Sequence, residues 1–348
     1  MSDTTSKAAQ STPTKPRLDI GYLLLEGRAF FALIAIIVIF SMLSPNYFSL
    51  PNFLIMTSQV AIFGLLAIGM LLVILSGGID LSVGSTLALC GVFAGFLMQG
   101  VELESLGIII YLPVWAVVVC TLAMGAFVGV INGILVAWFK VPAFVATLGT
   151  LYVARGAALL MTNGLTFNNL SGRAELGNTG FEWLGFNRLW GVPISIFALS
   201  LVAVTVYLLL SRTPFGRWLY SAGGNPNAAR LSGVPVSKVL IWVYVLSGVC
   251  AAIAGLVLSS QLTSAGPTAG TTYELTAIAA VVIGGAALTG GRGTVRGTLL
   301  GGFVIVFLGA GLVITGVSSY WQTVFTGAVI VLAVLLNSIN YGGKGRTS

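Results

Sequence analysis

The chain has no histidine in 348 residues, and only 7% of it is charged, against about 25% in an ordinary soluble domain. The first absence removes the usual general base, proton shuttle and metal ligand together. The second excludes a water-soluble globular fold, because 57% of the residues are hydrophobic and a soluble surface has nowhere to hide them. Cysteine is scarce as well. Cys90, Cys120 and Cys250 each fall inside an apolar run, with no spacing that signals a disulfide framework or a metal site. No G-x-x-x-x-G-K-[ST] loop occurs, since Lys344 is followed by Gly345, so the chain has no phosphate cradle for ATP. The net charge of +7 comes without a basic run interleaved with aromatics, which argues against nucleic acid as a partner. An enzyme is not expected: no metal cluster, Cys cluster or plausibly spaced acid pair offers the groups that catalysis needs.

What the chain does have is long apolar runs. A bilayer core takes about 20 apolar residues per helix. On that ruler spans are predicted over residues 26–43, 53–76, 81–99, 113–139, 142–162, 191–211, 239–260, 273–290, 297–315 and 320–337. The expected fold is all-α and polytopic, with about ten transmembrane helices. Its domains are a disordered tail over 1–25, a membrane domain over 26–339 and a second tail over 340–348. With the N-terminus inside, the cytoplasmic segments collect Lys7, Lys15, Arg17, Arg28, Lys140, Arg212, Arg217, Arg230, Lys238, Arg292, Arg296, Lys344 and Arg346. Only Arg173 and Arg188 fall outside, and Arg155 lies within a span. Basic residues gather on the cytoplasmic side of membrane proteins, so both termini are expected there. The forty-five glycines suit closely packed membrane helices. Gly125, Gly129 and Gly133 form one four-spaced ridge, and Gly91 with Gly95 and Gly297 with Gly301 give similar pairs.

One polar island interrupts the apolar pattern. Residues 223–234 read GGNPNAARLSGV, within a loop over about 212–238 that carries Arg212, Arg217, Arg230 and Lys238. Its punctuation is that of a short helix: Asn225 can cap, Pro226 suits the first position and Gly233 offers a left-handed stop after Ser232. Two readings are open. The island is either an ordinary solvated helix or a helix that a cytoplasmic partner pushes.

The island resembles the cytoplasmic loop of the sugar-type ABC importer permeases, the ribose, galactose, xylose and arabinose group, through SAGGNPNAARLSGV at residues 221–234. Further stretches are similar to that family's signatures, in family order: LSGGIDLSVGS at 75–85, INGILVAWFKVPAFVATLGT at 131–150, YELTAIAAVVIGG at 273–285 and GGRGTVRGTLLG at 290–301. Together they span most of the chain. The resemblance implies a permease subunit of an importer for a monosaccharide or related polyol in a bacterial inner membrane. It implies three partners: an ATP-binding subunit that uses ATP and Mg, a periplasmic sugar-binding protein, and a second permease subunit, identical or paralogous. No cofactor is expected in this chain itself. On this resemblance Gly223, Gly224, Asn225, Ala228, Ala229, Arg230, Ser232 and Gly233 are the residues expected to couple to the ATPase. Ala228 and Ala229 would allow close docking, and Arg230 would offer a charged contact.

Four polar residues at or inside spans are candidates for the translocation path: Asp80, Asn132, Arg155 and Glu274. Asp80 stands between two long uncharged runs. It lies either at a membrane edge, as the N-cap of a helix starting at Leu81 or Ser82, or in a broken helix that lines a cavity. Arg155 and Glu274 either pair inside the membrane or reach separately for water. Asn132 can bond across helices. The long outer loop over 163–190, with FEWLGFNRLW, would help to receive the binding protein or lie on the membrane. The rival to the importer is an ion-coupled secondary carrier, which needs an embedded acid or unwound backbone for its ion.

Overall fold

The computed structural model describes residues 27–103, 107–318, 320–325, 327, 328, 331 and 335. Both expected tails lie outside the described residues, as do eight of the eighteen residues of the tenth expected span. Each of the first nine spans meets a helix: α1 (Arg28–Leu43), α2 (Leu50–Leu75), α3 (Val83–Gln99), α4 (Val114–Ala137), α5 (Ala143–Thr162), α7 (Ile194–Arg212), α10 (Val236–Leu262), α11 (Tyr273–Ile283) and α12 (Val295–Ile314). Three short helices complete the order, α6 (Trp183–Phe186) in the outer loop and α8 (Pro214–Gly224) and α9 (Pro226–Leu231) at the island. Among the described residues six helices are long and apolar enough to cross a membrane, and α1, α3 and α11 are apolar but shorter. The chain is therefore a helical, multi-pass membrane protein.

One expected span needs correction. The helix at 273–290 stops at Ile283 and has 11 residues, about 16 Å, roughly half a bilayer core. Gly284 ends it and Gly285 turns left-handed, after which Gly285 N and Ala286 N bond back to Val282 O and Val281 O. The apolar residues beyond that point form a loop down to Thr294. The described residues are mostly helical, as the all-α class expects. Among them three minor two-stranded antiparallel ladders occur, β1 (Val101–Leu103) with β2 (Ile108–Ile110), β3 (Phe167–Asn168) with β6 (Ser264–Ala265), and β4 (Arg188–Leu189) with β5 (Val192–Pro193). Each ties down backbone where helices end.

Helix α2 is the centre of the bundle. From Leu65 to Leu75 its side chains are almost wholly buried, and it packs against α10, α12, α11 and α7. At 26 residues it is about 39 Å long, enough to cross the bilayer core with a turn to spare at each end. Helix α10 crosses it and packs most extensively on α4. The reason for that contact is the glycine ridge. A Cβ on Gly125 would strike the carbonyl of Gly248, one on Gly129 the carbonyl of Tyr244, and one on Gly133 would stand 2.8 Å from the Cα of Ile241. Backbones that approach this closely leave no room for any side chain. The other pairs work alike: Gly91 faces Ser259, and Gly301 faces the carbonyl of Ala280.

Two breaks in the helices meet at one end of the bundle. The first, over 76–82, joins α2 to α3, and the second, over 284–294, joins α11 to α12. Both contain a Gly-Gly pair and close on a hydroxyl residue followed by valine, Gly77-Gly78 with Ser82-Val83 and Gly290-Gly291 with Thr294-Val295. Replacing Gly129 with valine is expected to cost about 1–3 kcal/mol by overpacking the α4–α10 crossing. A lower melting temperature of the detergent-purified protein is the readout; an unchanged one would mean that the ridge tolerates side chains.

Candidate functional site

The first break is a polar cluster inside an apolar bundle. Helix α2 stops at a left-handed Gly77 (φ 84), where Gly77 N donates to Ile74 O and Gly78 N to Val73 O. That arrangement satisfies the last carbonyls of a helix at its C-terminus. Asp80 follows, only 3% exposed. Its Oδ1 accepts from the backbone N–H of Ser82 at 2.9 Å and from the Ser82 hydroxyl at 2.6 Å. Its Oδ2 accepts from the hydroxyl of Ser247 on α10 at 2.9 Å. The chain of bonds continues outward: the Asn132 amide on α4 donates to Ser82 Oγ at 2.9 Å, and the Thr150 hydroxyl on α5 donates to Asn132 Oδ1 at 2.6 Å. Thr147, one turn earlier, donates to Ile79 O at 3.1 Å. Four elements are thereby pinned to one carboxylate. A buried charge is costly unless it is hydrogen-bonded, and three donors to the two oxygens are what offset that cost here.

Of the two sequence readings of Asp80, the geometry shows the capping bond. Helix α3 begins at Val83 after Ser82, whose own side chain makes no capping bond. Asp80 Oδ1 accepts from Ser82 N two residues on, the bond that a capping side chain makes to the turn leading into a helix. Asn132, expected to bond across helices, does so.

Arg155 and Glu274 form a second group. The Arg155 guanidinium on α5 donates to the carbonyls of Pro267 at 2.5 Å and Ala269 at 2.7 Å. It holds the irregular segment that leads from β6 into the short helix α11. Glu274, in the first turn of α11, lies against α3, where a Cβ on Gly84 would stand 2.5 Å from Glu274 Oε2. Their charges act on one another, but the arginine gives its hydrogen bonds to backbone carbonyls. The four path candidates therefore fall into two clusters, linked along α3.

The island folds as its punctuation dictates. Asn225 Oδ1 accepts from Asn227 N at 3.1 Å and Ala228 N at 3.0 Å, Pro226 opens α9, and Gly233 (φ 82) follows the cap residue Ser232. Gly233 N and Val234 N bond back to Arg230 O and Ala229 O, each at 3.0 Å. The alanine pair splits. Ala229 is buried with Ala222 and Val236, whereas Ala228, Arg230 and Leu231 face outward, Leu231 at 91% exposure. Close docking by both alanines is thus narrowed to Ala228. Asn225 and Gly224 are exposed, and Gly223 is buried: a Cβ there would strike the carbonyl of Leu75.

Helix α8 precedes α9 and had no place in the sequence reading. Its signal was present as Pro214 in the first turn and the spacing of Phe215, Leu219 and Ala222. It docks on both breaks. Gly291 N donates to Leu75 O at 2.9 Å beside Gly223, and the Tyr220 hydroxyl donates to Gly293 O at 2.9 Å. Burial raises the Tyr220 phenol above its ordinary range, which keeps it a donor. Ser82, Thr147, Thr150 and Ser247 also went unread, although two threonines three residues apart on an apolar helix were a visible sign.

A multi-pass bundle with a buried, hydrogen-bonded break between two of its helices, and a capped surface helix packed against that break, has the build of a transport subunit. The chain belongs to the family described as the permease component of the branched-chain amino acid transport system, which matches residues 52–334. It is similar to the ribose import permease protein RbsC of Haemophilus influenzae, 42% identical over 328 residues, covering 94% of this chain and 97% of the relative. RbsC of Escherichia coli K12 is 42% identical over 316 residues, covering 90% and 94%. The galactose/methyl galactoside import permease protein MglC of Salmonella typhimurium is 35% identical over 324 residues, covering 92% and 96%. No solved structure matches. The chain is a permease, not an enzyme.

Asp80→Ala would leave the Ser82 N–H, the Ser82 hydroxyl and the Ser247 hydroxyl without their acceptor. It is expected to lower stability by about 1–3 kcal/mol for each donor left buried and unpaired. Asp80→Asn, which keeps one acceptor oxygen, should lose less. Equal melting temperatures for both variants and wild type would show that the break does not depend on the carboxylate.

Proposed function

We propose that this chain is the membrane subunit of an ATP-driven ABC importer for a monosaccharide or related polyol. The observation that carries the reading is the island: a capped, rigid helix presents Ala228, Arg230 and an almost fully exposed Leu231, and the chain around it is 42% identical to ribose import permeases. An exposed leucine beside a small residue and a cation suits a groove on a soluble partner, in the way that amphipathic helices dock. The partner is the ATP-binding subunit, which uses ATP and Mg. Two permease subunits form the path, and a periplasmic sugar-binding protein delivers the substrate. The setting is the bacterial inner membrane, with ten spans and both termini in the cytoplasm. ATP binding moves the island, and the breaks beside it relay that movement to the path. Asp80 and Asn132 hold the first break in register, and Arg155 and Glu274 fix the segment that enters α11.

An ion-coupled carrier would use Asp80 to bind its ion. The carboxylate already accepts from Ser82 and Ser247, which favours a structural role for it.

The test is co-purification of the tagged permease from its native membrane. Ala228→Glu with Leu231→Glu is the informative variant, because both positions face outward and the fold is left alone. An ATPase subunit should accompany wild type and fall about tenfold or more in the variant, as for the loss of a central interface residue. Retention of the ATPase by both would move the docking surface elsewhere. Absence of any ATPase, together with solute uptake by the permease alone in vesicles that an uncoupler abolishes, would support the carrier.

A further inference from the structure

We infer that Asp80 has a second partner, the hydroxyl of Tyr244, and that the carboxylate passes from Ser247 to Tyr244 when the first break moves during transport. The inference rests on the importer reading above, in which ATP binding moves the island and the breaks beside it. Tyr244 lies on α10 and is 1% exposed, and its hydroxyl has no hydrogen-bond partner among the described residues. A buried hydroxyl without a partner raises the free energy of the state that contains it. A transporter can retain such a group when another of its states supplies the partner.

The surroundings indicate which partner that is. Tyr244 precedes Ser247 by three residues, so both side chains lie on the same face of α10. Ser247 holds Asp80 Oδ2 at 2.9 Å. The Tyr244 hydroxyl stands against the same break, where a Cβ on Gly78 would be 2.7 Å from it, and the charge of Asp80 reaches it. A shift of the break toward the first turn of α10 exchanges one hydroxyl donor for the other. The serine then has a local alternative, since a helical serine can donate to the carbonyl four residues back, that of Val243. Neither hydroxyl is left unpaired in the second state. The second arrangement has one hydrogen bond more than the first, a difference small enough for a bound partner to bias.

The break is also attached where a push would arrive. At its inner end, Leu75 O accepts from Gly291 N, Gly223 of α8 packs on that same carbonyl, and a Cβ on Gly290 would stand 2.9 Å from Gly77 N. Displacement of the island therefore acts on residues 75–77 through backbone contacts that contain no compressible side chain. Within the break, Thr147 of α5 donates to Ile79 O, the residue before Asp80.

Tyr244→Phe is the decisive variant, because it removes an atom that bonds nothing in the present state. The complete complex of permease, ATPase and binding protein is reconstituted in vesicles, and ATP-dependent uptake of radiolabelled ribose, galactose, xylose and arabinose is measured beside thermal melting. The expected result is a melting temperature equal to or above that of wild type, with uptake of the transported sugar reduced about fivefold or more. Uptake equal to wild type would overturn the inference. So would a loss of uptake that accompanies a fall in melting temperature, since the hydroxyl would then be structural. A wild-type complex that hydrolyses ATP but moves none of the four sugars would overturn the sugar-importer reading and this inference with it.

Discussion

Backbone and charge left over where a helix stops in a buried, apolar interior must be satisfied by the protein itself, because apolar neighbours offer no hydrogen bonds. That constraint organises this molecule. The end of α2 meets it with a left-handed glycine and two back-bonded N–H groups. The carboxylate that follows recruits donors from its own turn and from α10, and the serine that binds it is bonded in turn from α4. The central helix, its break and the helices around it are thus fixed by one network of short polar bonds in an otherwise apolar interior.

The glycines serve the same end by a different route. Apolar side chains gain nothing by leaving lipid for another apolar surface, so helices in a membrane associate through contact. Gly125, Gly129 and Gly133 let α4 lie directly on the backbone of α10, which brings Ser247 of α10 to the Asp80 carboxylate and Asn132 of α4 to Ser82, the residue that bonds the same carboxylate. At the island, Gly223, Gly290 and Gly291 allow three chain segments to touch with no intervening side chain. Contact of that kind transmits displacement rather than absorbing it, because close-packed atoms have little room to yield. The capped surface helix and the buried carboxylate are two ends of one rigid path.

Much of this was legible in the sequence, for local reasons. The spans could be read because a bilayer core demands about 20 consecutive apolar residues, a length that few buried helices of soluble proteins match. The island could be read because Asn225, Pro226 and Gly233 act on their immediate neighbours, and all three do what their chemistry prescribes. Of the features that escaped, two show the reason. The apolar stretch after Ile283 looked like helix, because hydropathy does not register that Gly285 turns the chain left-handed. Ala228 and Ala229 looked equivalent, because adjacent helical residues differ in facing by about 100° and only the packed structure says which direction is inward.

The sequence by itself determined the class of protein, the order of its spans and the helix punctuation of the island, since each depends on composition or on residues a few positions apart. Only the tertiary structure decided that Ser247 and Asn132 share the network of Asp80, and that Arg155 serves the carbonyls of Pro267 and Ala269. Those partners lie between 50 and 167 residues apart in the chain. Their proximity is set by how closely glycine-bearing helices approach, which depends on the shapes of two packed surfaces at once and on no local pattern in either.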